Sequence, residues 1–177
     1  LCYPSRNSLL SGLMPSALKS VGPTHHQTFR IDYPEITALP QLFKQNGYYT
    51  RGLGKVLHNG QDDPVSWSEP ALHVKESGVG RHTTKNNVRF EGGDVEDEGY
   101  QDGRTAMAAR QAIRTAAEKK EPFFMMVGFY RPHTPFNCPK TYWDLYDRES
   151  IPLAAQPNAP AGSPTQYSLW NWNYVRS

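Results

Sequence analysis

Seven consecutive apolar residues, "FFMMVGF" at 123–129, are the strongest constraint in this sequence of 177 residues. A continuous run of that length, bounded by turn residues, reads as a strand buried on both faces of a layered sheet. Just before it, residues 103–120 follow a helical period. Ala106, Ala109, Ile113 and Ala116 mark one face, Arg110, Arg114 and Glu118 another, and Pro122 closes the segment. A second unit of the same kind lies upstream. Thr37 can cap a helix with Pro40 in its first turn and Leu39, Leu42 and Phe43 as its apolar stripe. Asn46-Gly47 stops it, and residues 48–53 read as a strand. Helix–strand units in this order predict an α/β domain with a mostly parallel sheet flanked by helices. Ligands of such sheets sit outside the carboxyl ends of the strands. Both predicted strands end in chemistry-bearing residues: Lys55 and His58 after the first, His133 after the second.

The rest of the chain is less regular. Residues 5–10 predict a short helix, with Pro4 at its start, Ser5 as a cap and Gly12 as its end. Residues 13–36 read as loop, and residues 61–101 as a long polar loop of the kind that carries function or moves. A short helix is expected over 139–146, then loop up to the aromatic cluster Trp170, Trp172 and Tyr174. The net charge of +2 makes no electrostatic case for nucleic acid or an anionic membrane. No apolar run approaches the roughly 20 residues of a membrane span, and no signal peptide is visible. The opening Leu1-Cys2 is expected to enter mid-structure, as in a fragment or a processed chain. Cys2 and Cys138 could form one disulfide, which sequence alone does not decide.

Cys2 precedes the first helix, with Arg6 one turn on. Free N–H groups and the helix dipole favour an anion there, and a guanidinium grips anions. A buried, inert cysteine beside a surface arginine is the stronger reading of the pair alone. A cysteine phosphatase keeps five residues between Cys and Arg, whereas this chain has three. Lys55 and His58 place a cation and an imidazole on one glycine-bounded loop, and two prolines stiffen the hook around His133. His25, His26, His73 and His82 read as surface residues. Asp62-Asp63 and "GGDVEDEG" are acidic without the ligand spacing of a hard cation.

Together these motifs resemble the sulfatase family. "CYPSR" fits the signature Cys-X-Pro-Ser-Arg, and "LPQLFKQNGYYTRGLGKVLHNG" is similar to the second sulfatase signature. "FFMMVGFYRPHTPF" resembles the later strand and its Pro-His-X-Pro hook. "DDPVSWSEP" and the Lys-X-X-His spacing are similar to the iduronate-2-sulfatase branch. The resemblance implies that residues 1–177 are part of a single sulfatase catalytic domain of the alkaline-phosphatase-like superfamily, without its N-terminal strand and C-terminal portion. It implies hydrolysis of sulfate esters, of a sulfated carbohydrate above all. The nucleophile would be a formylglycine made from Cys2 by a formylglycine-generating enzyme and hydrated to a diol. Arg6 would hold the diol, Lys55 would touch diol and sulfate, His58 would hydrogen-bond the diol, and His133 would meet the ester near its leaving oxygen. Arg131 stands where a relative carries lysine, as a substrate contact. One Ca²⁺ is implied, with Cys2 as formylglycine the single ligand in this chain and the other ligands outside it. Export to periplasm, lysosome or the exterior is implied as well. The 61–101 loop is expected to set specificity, and the Trp170–Trp172 cluster either to stack on sugars or to pack in the core of the complete domain. The isolated chain is expected to be inactive or poorly folded. A phosphonate or phosphate monoester hydrolase of the same superfamily, and a non-catalytic sulfoglycan-binding fragment, are the alternatives.

Overall fold

A computed structural model describes residues 2–18, 28–58, 60–75, 90–153, 155 and 162. Helix α1 (Cys2–Ser11) begins three residues earlier than Ser5 would set it, with Pro4 inside its first turn, where the missing N–H costs nothing. It buries Tyr3, Asn7 and Leu10, a helical stripe. Buried Asn7 replaces an apolar residue in that stripe. Its Oδ1 accepts from the Phe29 N–H at 3.1 Å and its Nδ2 donates to the Tyr3 carbonyl at 2.9 Å. This tie fixes α1 against α2 (Phe29–Asp32), a short helix inside the segment expected to be loop. Leu10, Leu18, Phe29, Ala38, Val56, Leu57 and Trp67 form the core beside them.

Helix α3 (Leu39–Gln45) is capped from Ala38, not Thr37. The Gln41 carboxamide accepts from the Ala38 N–H at 3.2 Å, so a side chain inside the helix reaches back to its first donor. The same oxygen accepts from Arg30 at 2.6 Å. Arg30 also forms a two-pronged ion pair with buried Asp63, at 2.7 and 3.0 Å, and donates to the Ile36 carbonyl.

Strand β1 (Tyr49–Gly54) pairs in parallel with β3 (Phe123–Gly128), in register from Tyr49 opposite Phe123 to Gly54 opposite Gly128. The connection between them includes α4 (Gln101–Lys119), which packs on both strands. The predicted stripe of α4 is corrected. Ala109 and Ala116 are buried, but Ala106 is exposed and Ile113 is 44% exposed. Gln101 and Thr105 take the inner positions instead. Thr105 stays inside because its hydroxyl is satisfied by the Gln101 carbonyl at 3.0 Å. The double burial expected of 123–129 is also corrected. Phe123 is 38% exposed, residues 124–128 are half-buried and Phe129 lies beyond the strand. Among the described residues β3 is paired along one edge alone.

The long loop is not structureless either. It contains a 3₁₀ turn, Pro64–Ser66, and a strap in which Leu72 bridges to Leu53 beside β1. It also contains β2 (Phe90–Gly93), which pairs in parallel with β4 (Phe136–Pro139). After β4, α5 (Lys140–Trp143) is shorter than the helix expected over 139–146. Trp143 covers Gly92 and stacks on Phe90 with centroids 6.1 Å apart.

The ends of β1 and β3 touch. A Cβ on Gly128 would overlap the carbonyl of Lys55, and one on Gly54 would overlap the carbonyl of Gly128. Gly54 also has φ +70°, where L side chains are strained. Gly128→Ala is therefore expected to cost roughly 1–3 kcal/mol, read as a lower urea midpoint at unchanged slope. An unchanged midpoint would mean that the strand ends yield freely.

Tyr100 gives an alkaline signature. Burial, then its hydrogen bond to Glu91 at 3.0 Å, pushes its hydroxyl up to about 12 from an ordinary 10.0. The native state holds this proton more tightly, so the stabilisation is complete below pH 10 and is lost as pH rises through about 12. In a phenolate absorbance titration, Tyr100→Phe is expected to remove a component near pH 12. Loss of a component near pH 10 instead would show the hydroxyl to be solvated.

Candidate active site

The end of β1 is held from α1. Arg6, one turn into α1, donates to the carbonyls of Lys55 and Val56, the latter at 3.2 Å. Its Nε lies 3.2 Å from Cys2 Sγ. One guanidinium therefore holds both the head of the helix and the turn after the strand. Cys2 occupies the first position of α1, half-buried, and both Cys2 and Cys138 are free thiols. His58 closes this group from the same turn, its ring edge-on to Tyr3 with centroids 6.2 Å apart.

Lys55 links this group to a second one. The residue is 4% exposed. Its ammonium sits 4.9 Å from the centre of the Tyr130 ring, beyond the end of β3. A cation over an aromatic face recovers part of its lost hydration. Burial pushes the Lys55 ammonium below the ordinary lysine range; the charge of Cys2 opposes this, Arg6 and Arg131 reinforce it, and Asp102 opposes it. Lys55 thus sits between two cationic and two anionic groups, and burial decides the direction of its shift.

The second group is the hook after β3. Lys55, Arg131 and His133 line one cavity of about 380 Å³, within the range of small-ligand sites. The peptide bonds before Pro132 and Pro135 are both cis. The Thr134 carbonyl accepts from His133 Nδ1 at 2.6 Å, so the neutral ring carries its lone pair on Nε2. Arg131 Nε donates to Asn137 Oδ1 at 2.5 Å, and Asn137 is buried.

Sequence reasoning missed Asp102. It stands in the first turn of α4 and accepts from the Tyr130 and Arg131 N–H groups at 2.8 and 2.9 Å. A carboxylate in a first turn signals no more than favourable helix electrostatics, so its reach to the hook was illegible. It is a positioning residue, since its contacts are to the backbone that carries Arg131 and His133. Tyr130 and Asn137 were missed as well. His73, read from sequence as a surface residue, is exposed and also lines the cavity. His25, His26, His82, Trp170, Trp172 and Tyr174 lie outside the described residues.

Among the described residues no three His, Cys, Asp or Glu side chains come together to hold a metal. Cys2 is surrounded by cationic groups, so the described residues do not by themselves fit a calcium ion.

A helix-mouth cysteine clamped by an arginine, a buried lysine at one strand end and a histidine hook at the next fit the class of hydrolases that act on anionic esters. The chain belongs to the sulfatase family, whose pattern it matches over residues 1–168. It is similar to the iduronate 2-sulfatases of Homo sapiens and Mus musculus, each 31% identical over 190 residues covering 96% of this chain and 34% of the relative. It is also similar to a sulfatase of Formosa agariphila, 35% identical over 170 residues, 85% of this chain and 33% of that protein. The chain thus spans about a third of the length of these curated relatives.

Proposed function

We propose that this protein is a sulfuric ester hydrolase that removes sulfate from a sulfated carbohydrate, with Cys2 as the precursor of a formylglycine nucleophile. The observation that carries the reading is the position of Lys55. A buried ammonium faces the Cys2–Arg6 pair on one side and the cavity of His133 and Arg131 on the other. A sulfate ester lying across that ammonium would meet the modified residue at one end and the hook at the other. The hydrated aldehyde supplies an oxygen nucleophile and a second hydroxyl that lets the sulfated intermediate collapse.

The chain's own residues supply the rest. Arg6 holds residue 2 against the turn after β1. Lys55 and Arg131 neutralise charge on the ester oxygens. On this reading His58 would hydrogen-bond residue 2, and His133 would protonate the leaving oxygen after its Nε2 has taken up a proton. Calcium is proposed through the family resemblance, with formylglycine as the one ligand from this chain. A formylglycine-generating enzyme would be a maturation partner. Export is proposed with the family; no helix among the described residues is long and apolar enough to cross a membrane.

The test is side-by-side turnover of 4-nitrophenyl sulfate and 4-nitrophenyl phosphate by the full-length protein, with intact mass of the same sample. Faster sulfate hydrolysis, and a mass lower by about 18 Da from conversion of thiol to aldehyde, are expected. Faster phosphate hydrolysis would move the protein to the phosphomonoester hydrolases. An unmodified Cys2 without turnover, from a host that holds the maturing enzyme, would leave a binding function.

A further inference from the structure

We propose that Tyr130 is a positioning residue that fixes the Lys55 ammonium for its anion through the face of its ring; this deepens the proposed sulfatase reading and rests on it. The Lys55 backbone is held on both sides. Its N–H donates to the Gly128 carbonyl at 2.7 Å, and its carbonyl accepts from Arg6. The ammonium has no comparable anchor of opposite charge. Among the described residues no carboxylate lies within ion-pair distance of it. What it meets is the Tyr130 ring, with 4.9 Å from Nζ to the ring centre. That lies inside the roughly 6 Å over which the quadrupole of an aromatic face attracts a cation. Lys55 is 4% exposed, so the ring stands where water would otherwise solvate the charge. Lys55 and Tyr130 line the same cavity as Arg131 and His133. An anion entering that cavity therefore finds an ammonium already held by the ring.

The ring is itself set by its backbone. Asp102 Oδ1 accepts from the Tyr130 N–H at 2.8 Å, and Oδ2 from the Arg131 N–H at 2.9 Å. One carboxylate at the head of α4 thus aims the ring and its neighbour together. The interlocked ends of β1 and β3 fix the other coordinate. Gly128 lies so close to the Lys55 carbonyl that a Cβ would overlap it, so the backbones of Lys55 and Tyr130 keep one spacing. The chemistry asked of residue 130 is narrow. A phenylalanine face carries a quadrupole of the same sign as tyrosine. An aliphatic side chain fills space there and attracts no cation. Fluorine on the ring withdraws electron density from its face with little change of size.

Calorimetry with inorganic sulfate on the full-length protein tests this. Tyr130→Phe is expected to bind sulfate within about twofold of the parent, and Tyr130→Leu roughly three- to tenfold more weakly. A trifluorinated phenylalanine at the same position is expected to fall between them, with the urea midpoint of Tyr130→Phe. It keeps the proposal falsifiable if the leucine variant does not fold. In turnover of 4-nitrophenyl sulfate, KM is expected to rise by the factor lost in sulfate affinity. A merely structural role would instead lower kcat through the folded fraction and leave KM unchanged. Equal sulfate affinity of the phenylalanine and trifluorophenylalanine proteins, or a parent that binds no sulfate, would overturn the proposal. Affinity is read without turnover. A parent that hydrolyses no sulfate ester yet shows the graded series would therefore sink the sulfatase reading and keep Tyr130 as the residue that positions Lys55 in an anion site.

Discussion

Cys2→Ala is expected to lower turnover of a sulfate ester by about 10³-fold or more, while binding of the ester survives. The prediction follows from where the cysteine stands. Arg6 holds Cys2 Sγ at 3.2 Å with the same guanidinium that grips the turn of Lys55 and Val56. On the proposed reading, removing the side chain of residue 2 would leave Lys55, Arg131 and His133 to bind the anion, but nothing to attack sulfur. The measurement is kcat against KM for 4-nitrophenyl sulfate, with intact mass to show that the parent carries the aldehyde. A drop in kcat with KM little changed is the expected split. A variant that keeps a tenth of the parent's kcat would remove Cys2 from the chemistry and return it to packing.

The second large effect is structural. Asp63→Ala is expected to cost about 3 kcal/mol, the lower end for breaking a buried ion pair. Asp63 is 1% exposed, and its carboxylate takes both prongs of Arg30 and the hydroxyl of Ser66. Arg30 in turn binds Gln41 and the Ile36 carbonyl. Truncation therefore strands a partly buried guanidinium and unties α2, α3 and the 3₁₀ turn together. The Arg30 side chain keeps 18% exposure, which is why the lower end applies. A urea midpoint shifted by less than about 1 kcal/mol would show that water replaces the carboxylate at little cost. Asp63→Asn, which keeps an acceptor for Arg30 but loses the charge, is expected to fall between parent and Ala variant.

The residue that carries this prediction had no sequence signal beyond being one of two adjacent acids. Asp63 reads like any solvated carboxylate until Arg30, more than thirty positions away, is brought against it. Elsewhere the sequence was more legible. The two helix–strand units were visible because each is a local pattern: an apolar period, a glycine or proline stop, then an apolar run. Strand ends followed from those patterns, and with them the places of Lys55, His58 and His133. The parallel pairing of β1 with β3 agrees with the order of elements. What failed was the choice of face on α4. Ala106 and Ile113 fit an apolar stripe as well as Thr105 does, and the strand ends decided which residues turned inward. β2 and β4 stayed hidden because each is four residues long and neither alternates clearly; they exist by pairing with each other.

By itself, then, the sequence determined an α/β domain of the sulfatase family, the order of its elements and the residues at two strand ends. These depend on side chains within a few positions of one another, where spacing is information. Tertiary structure alone decided that Arg6 clamps the Lys55 turn, that Asp102 holds the hook of His133, and that His73 and Lys75 join Lys55 in one cavity. Those contacts join residues tens of positions apart through backbone carbonyls and N–H groups. Such groups are the same in every residue, so no sequence pattern marks the ones that will meet.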